Sequence, residues 1–91
     1  MNKTIHLRVK KEIDRTSEAK VLKLKGTLIT KGYTEIIHIK DENEEFYLNT
    51  FSTDPERKKE TESYVLEFIA SNGLNDSIFL IDNVKSNFTL L

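Results

Sequence analysis

The sequence predicts an α+β domain: a small, mostly antiparallel sheet of about five or six strands in the order ββββαββ, with one amphipathic helix near residues 55–72. Two observations carry that class. Apolar and polar residues alternate in "TIHLRV" and again in "VLKLK", the period of half-buried strands. Between residues 53 and 73 the period lengthens to that of a helix, bracketed by start and stop signals.

The first strand, Thr4–Val9 continued by Lys10, sets Ile5, Leu7 and Val9 on one face and Thr4, His6 and Arg8 on the other. "RTSEAK" at 15–20 is polar and suits a connection. A second strand is expected over Val21–Lys31, with Leu22, Leu24 and Leu28 inward and Lys23, Lys25, Thr27, Ile29 and Lys31 outward. Gly26 falls inside it. Glycine weakens a strand interior and there marks a bulge or a bend, so a bent strand is expected at that position.

"KGYTEIIHIK" and "EFYLNTF" flank the polar tetrapeptide "DENE", a loop of hairpin length. Pairing Lys40 with Glu45 aligns Ile39 with Phe46, His38 with Tyr47 and Ile37 with Leu48, which gathers the aliphatic residues and Phe46 on one face. The helix follows. Thr53 with Glu56, or Asp54 before Pro55, supplies its start, Tyr64, Val65, Phe68 and Ile69 with Thr61 form its inward side, and Gly73 stops it. "SIFLID" is apolar on both faces and reads as a central strand under the helix, "NVKSN" as a turn and "FTLL" as a short last strand.

The run of three strands, a helix and a strand, with a glycine-bent first member, resembles the OB-fold, a small, partly closed Greek-key barrel. The resemblance covers about residues 21–84, leaves the N-terminal strand as an addition, and implies a surface for oligonucleotides or other ligands.

Composition narrows the functional classes. A chain of 91 residues suits one domain, and 37% hydrophobic residues with eight aromatics support a core despite 32% charged residues. There is no cysteine, which excludes a disulfide framework, a thiolate zinc site and a cysteine nucleophile. No apolar run has the length of a signal peptide or of a membrane span, so a cytoplasmic protein without a membrane partner is expected.

Charge is unevenly spread. Residues 1–31 hold nine Lys or Arg against three acids, while residues 32–91 hold five against twelve. If the two N-terminal strands pair, Arg8, Lys10, Lys23, Lys25 and Lys31 share one face with His6. Such a basic stripe can neutralise nucleic-acid phosphates. The same lysines also suit a solvated face or a guarded strand edge. Tyr33, Tyr47 and Phe51 are the aromatics able to join the stripe as stacking residues, and His38 beside Tyr47 would make a cross-strand packing pair. The two histidines lack the close spacing of a metal pair, the acids at 41–45 lack the glycine of a calcium loop, and the helix acids are interleaved with bases as on a surface helix. No phosphate loop, nucleophile elbow or paired-carboxylate cleft is present in the sequence.

The expectation is a small non-enzymatic binding protein, without cofactor or metal, that contacts nucleic acid through the basic strand face. The alternative is a protein-interaction module, accessory or inhibitory, that docks through a sheet edge or the acidic helix, with a weak homodimer as a variant.

Overall fold

A computed structural model describes residues 2–81. Its elements run β1 (Lys3–Lys10), α1 (Arg15–Thr30), β2 (His38–Asp41), β3 (Phe46–Thr53), a 3-10 turn (Pro55–Arg57), α2 (Lys58–Ser71) and β4 (Ile78–Ile81). The four strands form one open antiparallel sheet in the order β2-β3-β1-β4. This β-α-β-β-α-β order, with β3 inserted between β1 and β2 and β1 between β3 and β4, is the split βαβ or ferredoxin-like arrangement. The α+β class and the antiparallel sheet agree with the sequence reading. The sheet has four described strands rather than five or six, and it does not close into an OB-like barrel.

The main correction lies at 15–30. The expected connection and glycine-bent strand are a single helix, α1. Val21, Leu24 and Leu28 are its buried residues, a spacing of three and four that fits a helical face, whereas Leu22 is 61% exposed. Asp14 begins the helix by accepting the Ser17 backbone N–H at 2.7 Å, a standard N-cap. Lys, Leu, Glu and Ala then dominate its first three turns, and all are strong helix formers.

Both helices end in the same way. Gly32 and Gly73 adopt φ of 80° and 66°, in the left-handed region. Tyr33 donates its N–H to the Leu28 carbonyl as Gly32 does to Ile29, and Leu74 bonds Ile69 as Gly73 bonds Ala70. These are Schellman motifs, in which the residue after the glycine is turned back onto the helix. Tyr33 and Leu74 are accordingly buried. Gly73 stops its helix as the sequence indicates, while Gly32 ends a helix instead of lying within the expected strand at 31–40. The strand found there, His38–Asp41, covers only the last three residues of that segment and Asp41 beyond it.

The β2–β3 hairpin is real but its register is shifted by three residues. Ile39 pairs with Asn49 and Asp41 with Tyr47, not Ile39 with Phe46. Asn43 is responsible at the tip: its Oδ1 accepts the N–H groups of Glu45 and Phe46 at 2.8 and 2.9 Å, which tightens the turn. An odd shift exchanges the faces. Asn49, Phe51 and Thr53 are buried, and Phe46 and Leu48 lie on the other side.

Ile5, Leu7 and Val9 on one face of β1 join residues of both helices, Phe51 and Ile78 in one buried cluster. Both helices therefore cover the same face of the sheet. On α2, Thr61, Val65 and Ile69 are buried, with Tyr64 and Phe68 partly so, in line with the expected face. β4 lies at the margin of the described sheet and pairs there with β1 alone, rather than running centrally. The expected turn at 83–87 and last strand at 88–91 lie outside the described residues.

Candidate functional site: the helix-free face of the sheet

No described element covers the face of the sheet opposite the helices, and alternation along each strand decides what it presents. Cross-strand partners share a face, so the pairing can be read as rows. One row runs Ile81, His6, Thr50, His38 from β4 to β2. The next runs Phe79, Arg8, Leu48, Lys40. Beyond them, Lys10 is paired with Phe46 at one end and Thr4 with Ser52 at the other.

Among the described residues, three cations, two histidines and two phenylalanines therefore share one face. Phe46 and Phe79 meet edge to face with their centroids 6.1 Å apart. The Arg8 guanidinium lies 5.4 Å from the Phe46 ring centroid, a cation–π contact. Arg8 also makes a two-pronged pair with Glu42, donating from Nε to Oε1 at 2.8 Å and from Nη2 to Oε2 at 2.7 Å. The Arg8 hydrogen bonds hold the Glu42 carboxyl below its ordinary value, and the Glu42 hydrogen bond raises Arg8. Lys10 and Lys40 are exposed. Their charge belongs to the solvent side of the face.

The expected basic stripe is thus divided. Arg8 and Lys10 lie on the helix-free face, whereas Lys23 and Lys25 are on α1 and Lys31 caps its C-terminus. Because α1 covers the other side of the sheet, these three cannot join Arg8. Lys25 is half buried, and burial lowers its pKa. Lys31 sits 5.5 Å from the Tyr64 ring centroid. His38 neighbours Thr50 rather than Tyr47, because the register differs. Tyr47 turns to the helix side, with the Lys11 ammonium 5.1 Å from its ring centroid. Tyr33 and Phe51 are buried and cannot stack on a ligand.

Lys40, Phe46, Phe79 and Glu42 complete the face and were not assigned to it from sequence. Their places follow from the pairing of β1 with β3 and β4 and of β3 with β2, and the β1–β3 partners alone are separated by 36 to 50 residues. The acids of α2 are largely engaged internally: Glu60 accepts from Arg57 and from the Tyr33 hydroxyl, and Glu62 pairs with Lys58 at 2.7 Å. Among the described residues, no group of three or more His, Asp or Glu is arranged to hold a metal, and no helix is long and apolar enough to cross a membrane. No family model, curated protein or solved structure matches this chain.

Proposed function

We propose that the protein binds single-stranded nucleic acid on the helix-free face of its sheet. The observation that carries this reading is the sharing of one face by Arg8, Lys10 and Lys40 with Phe46 and Phe79. Cations on a sheet neutralise phosphates, and aromatic rings or guanidinium planes beside them stack unpaired bases. Lys10 and Lys40 take phosphates, Phe79 takes a base, and Arg8 extends the platform from above Phe46. An open face suits a single strand, whose bases are free to turn toward it.

The test is fluorescence anisotropy with labelled single-stranded RNA, single-stranded DNA and duplex DNA at about 50 and about 200 mM salt, where phosphate contacts weaken steeply. Single strands should bind more tightly than duplex. Lys10→Glu with Lys40→Glu should abolish binding, and Phe79→Ala should weaken it by roughly 1–3 kcal/mol. Lys23→Glu with Lys25→Glu should leave it intact. No saturable binding at low salt would end this reading.

A second reading, a protein partner docked by strand addition, rests on β2. Its four residues are exposed and among the described strands it pairs with β3 alone, and Ile36 and Ile39 nearby are 60% and 56% exposed. Self-pairing is the weaker variant, because registers that keep both sheets in phase set Lys40 against Lys40 or His38 of a second copy. Ile39→Glu separates the readings: it blocks strand addition and spares the helix-free face.

A further inference from the structure

The helix-free face is chemically divided, and the division points to one kind of strand. The half built from Phe79, Arg8, Lys40, Lys10 and Phe46 carries charge and aromatic surface. The other half carries two rows of hydrogen-bonding side chains: His6, Thr50 and His38 in one, Thr4 and Ser52 in the next. The sequence contains only two histidines. Folding brings both to the same face, one on each side of Thr50.

We infer that this polar half selects RNA over DNA by contacting ribose 2′-hydroxyls, with His6, Thr50 and His38 as the discriminating residues. The inference rests on the single-strand reading above and adds the sugar to it. Hydroxyls and neutral imidazoles each offer both a donor and an acceptor, and so does the 2′-hydroxyl. Lysine, arginine and carboxylate side chains cannot match it in both senses. The row is partly ordered in advance, since the Thr50 hydroxyl and His6 Nδ1 lie 3.3 Å apart, which engages Nδ1 and leaves Nε2 without a hydrogen-bond partner among the described residues. His38 and Ser52 are exposed, and His6 and Thr50 are half-buried. Neighbouring strands are about 4.8 Å apart, so the two histidines stand roughly 10 Å apart at the backbone, a span that leaves room for a sugar between them.

The experiment compares three oligonucleotides of one sequence, RNA, DNA and 2′-O-methyl RNA, by anisotropy against the full chain and against Thr50→Val and His38→Phe. Circular dichroism confirms that each variant is folded. RNA should bind about tenfold more tightly than DNA, the scale of one or two well-made hydrogen bonds. The methylated strand, which has lost the donor, should fall toward DNA. Both variants should lose the RNA preference while their DNA affinity stays within about twofold. Equal binding of RNA and DNA, or a preference that survives both variants, overturns the sugar assignment and leaves the single-strand reading in place. Absence of binding to all three strands overturns both.

Discussion

Arg8 on β1 and Glu42 at the hairpin tip, 34 residues apart, form a two-pronged ion pair that fixes the guanidinium beside the Phe46 ring. The pair does two opposing things. It orients Arg8 for stacking, and it sets a carboxylate where phosphates are proposed to bind. Glu42→Gln removes the negative charge but keeps an acceptor for Arg8. Binding of single-stranded nucleic acid should tighten by roughly 3- to 10-fold at low salt, while stability falls by less than about 1 kcal/mol because the pair is partly exposed. Anisotropy and urea denaturation of the same variant check both halves.

Gly26 lies inside α1 with nothing within 4 Å of an added Cβ. Alanine costs less conformational entropy there and raises helix propensity, so Gly26→Ala should stabilise the fold by about 0.5–1 kcal/mol. A bent strand at the same position would be disturbed by the substitution. The sign of the change in urea midpoint therefore distinguishes helix from strand.

Asn49 sits between Leu7 and Ile39 on the helix side of the sheet and is 1% exposed. Neither Oδ1 nor Nδ2 has a hydrogen-bond partner among the described residues. A buried amide in that state costs about 1–3 kcal/mol, so Asn49→Leu, of similar shape, should raise stability by about 1–2 kcal/mol. Chemical denaturation measures it, and a loss of stability would mean that the amide is satisfied.

Among the described residues, three carboxyls sit below their ordinary values. The Ser17 backbone N–H lowers Asp14, the Arg8 hydrogen bonds lower Glu42, and Glu60 is lowered first by Arg57 and then by the Tyr33 hydroxyl. Each takes up its proton less readily folded than unfolded. Their stabilisation is thus complete above the ordinary values of 3.8 for Asp and 4.5 for Glu, and it is lost as pH falls through the lower folded values. Urea midpoints should be nearly level from about pH 7 to about pH 5 and drop below about pH 4, with a shallower drop in Glu42→Gln.

Local signals were legible where they do not depend on distant partners. The alternation of Ile5, Leu7 and Val9 placed β1 and its outward Arg8 and Lys10, and Thr61, Val65 and Ile69 with Gly73 placed α2. The error at 15–30 was also local. "VLKLK" satisfies a period of two over five residues, while the helical signal needed the longer window from Asp14 to Gly32, with a cap at each end. Leu28, Gly32 and Tyr33 repeat the spacing of Ile69, Gly73 and Leu74, and that repeat is the clue that separates helix from strand.

Sequence by itself determined the α+β class, the first strand, the second helix and the outward side of Arg8 and Lys10, because side-chain periodicity and capping act within a few residues. Tertiary structure decided which residues join them. "EFYLNTF" carries apolar groups on both faces, so only pairing with β1, together with the Asn43-tightened turn, turned Phe51 inward and Phe46 outward. Pairing of β1 with β3 instead of with residues 21–31 replaced Lys23 and Lys25 by Lys40, Phe46 and Thr50. A face built from four strands is set by register between distant segments, and no short window of the chain contains that register.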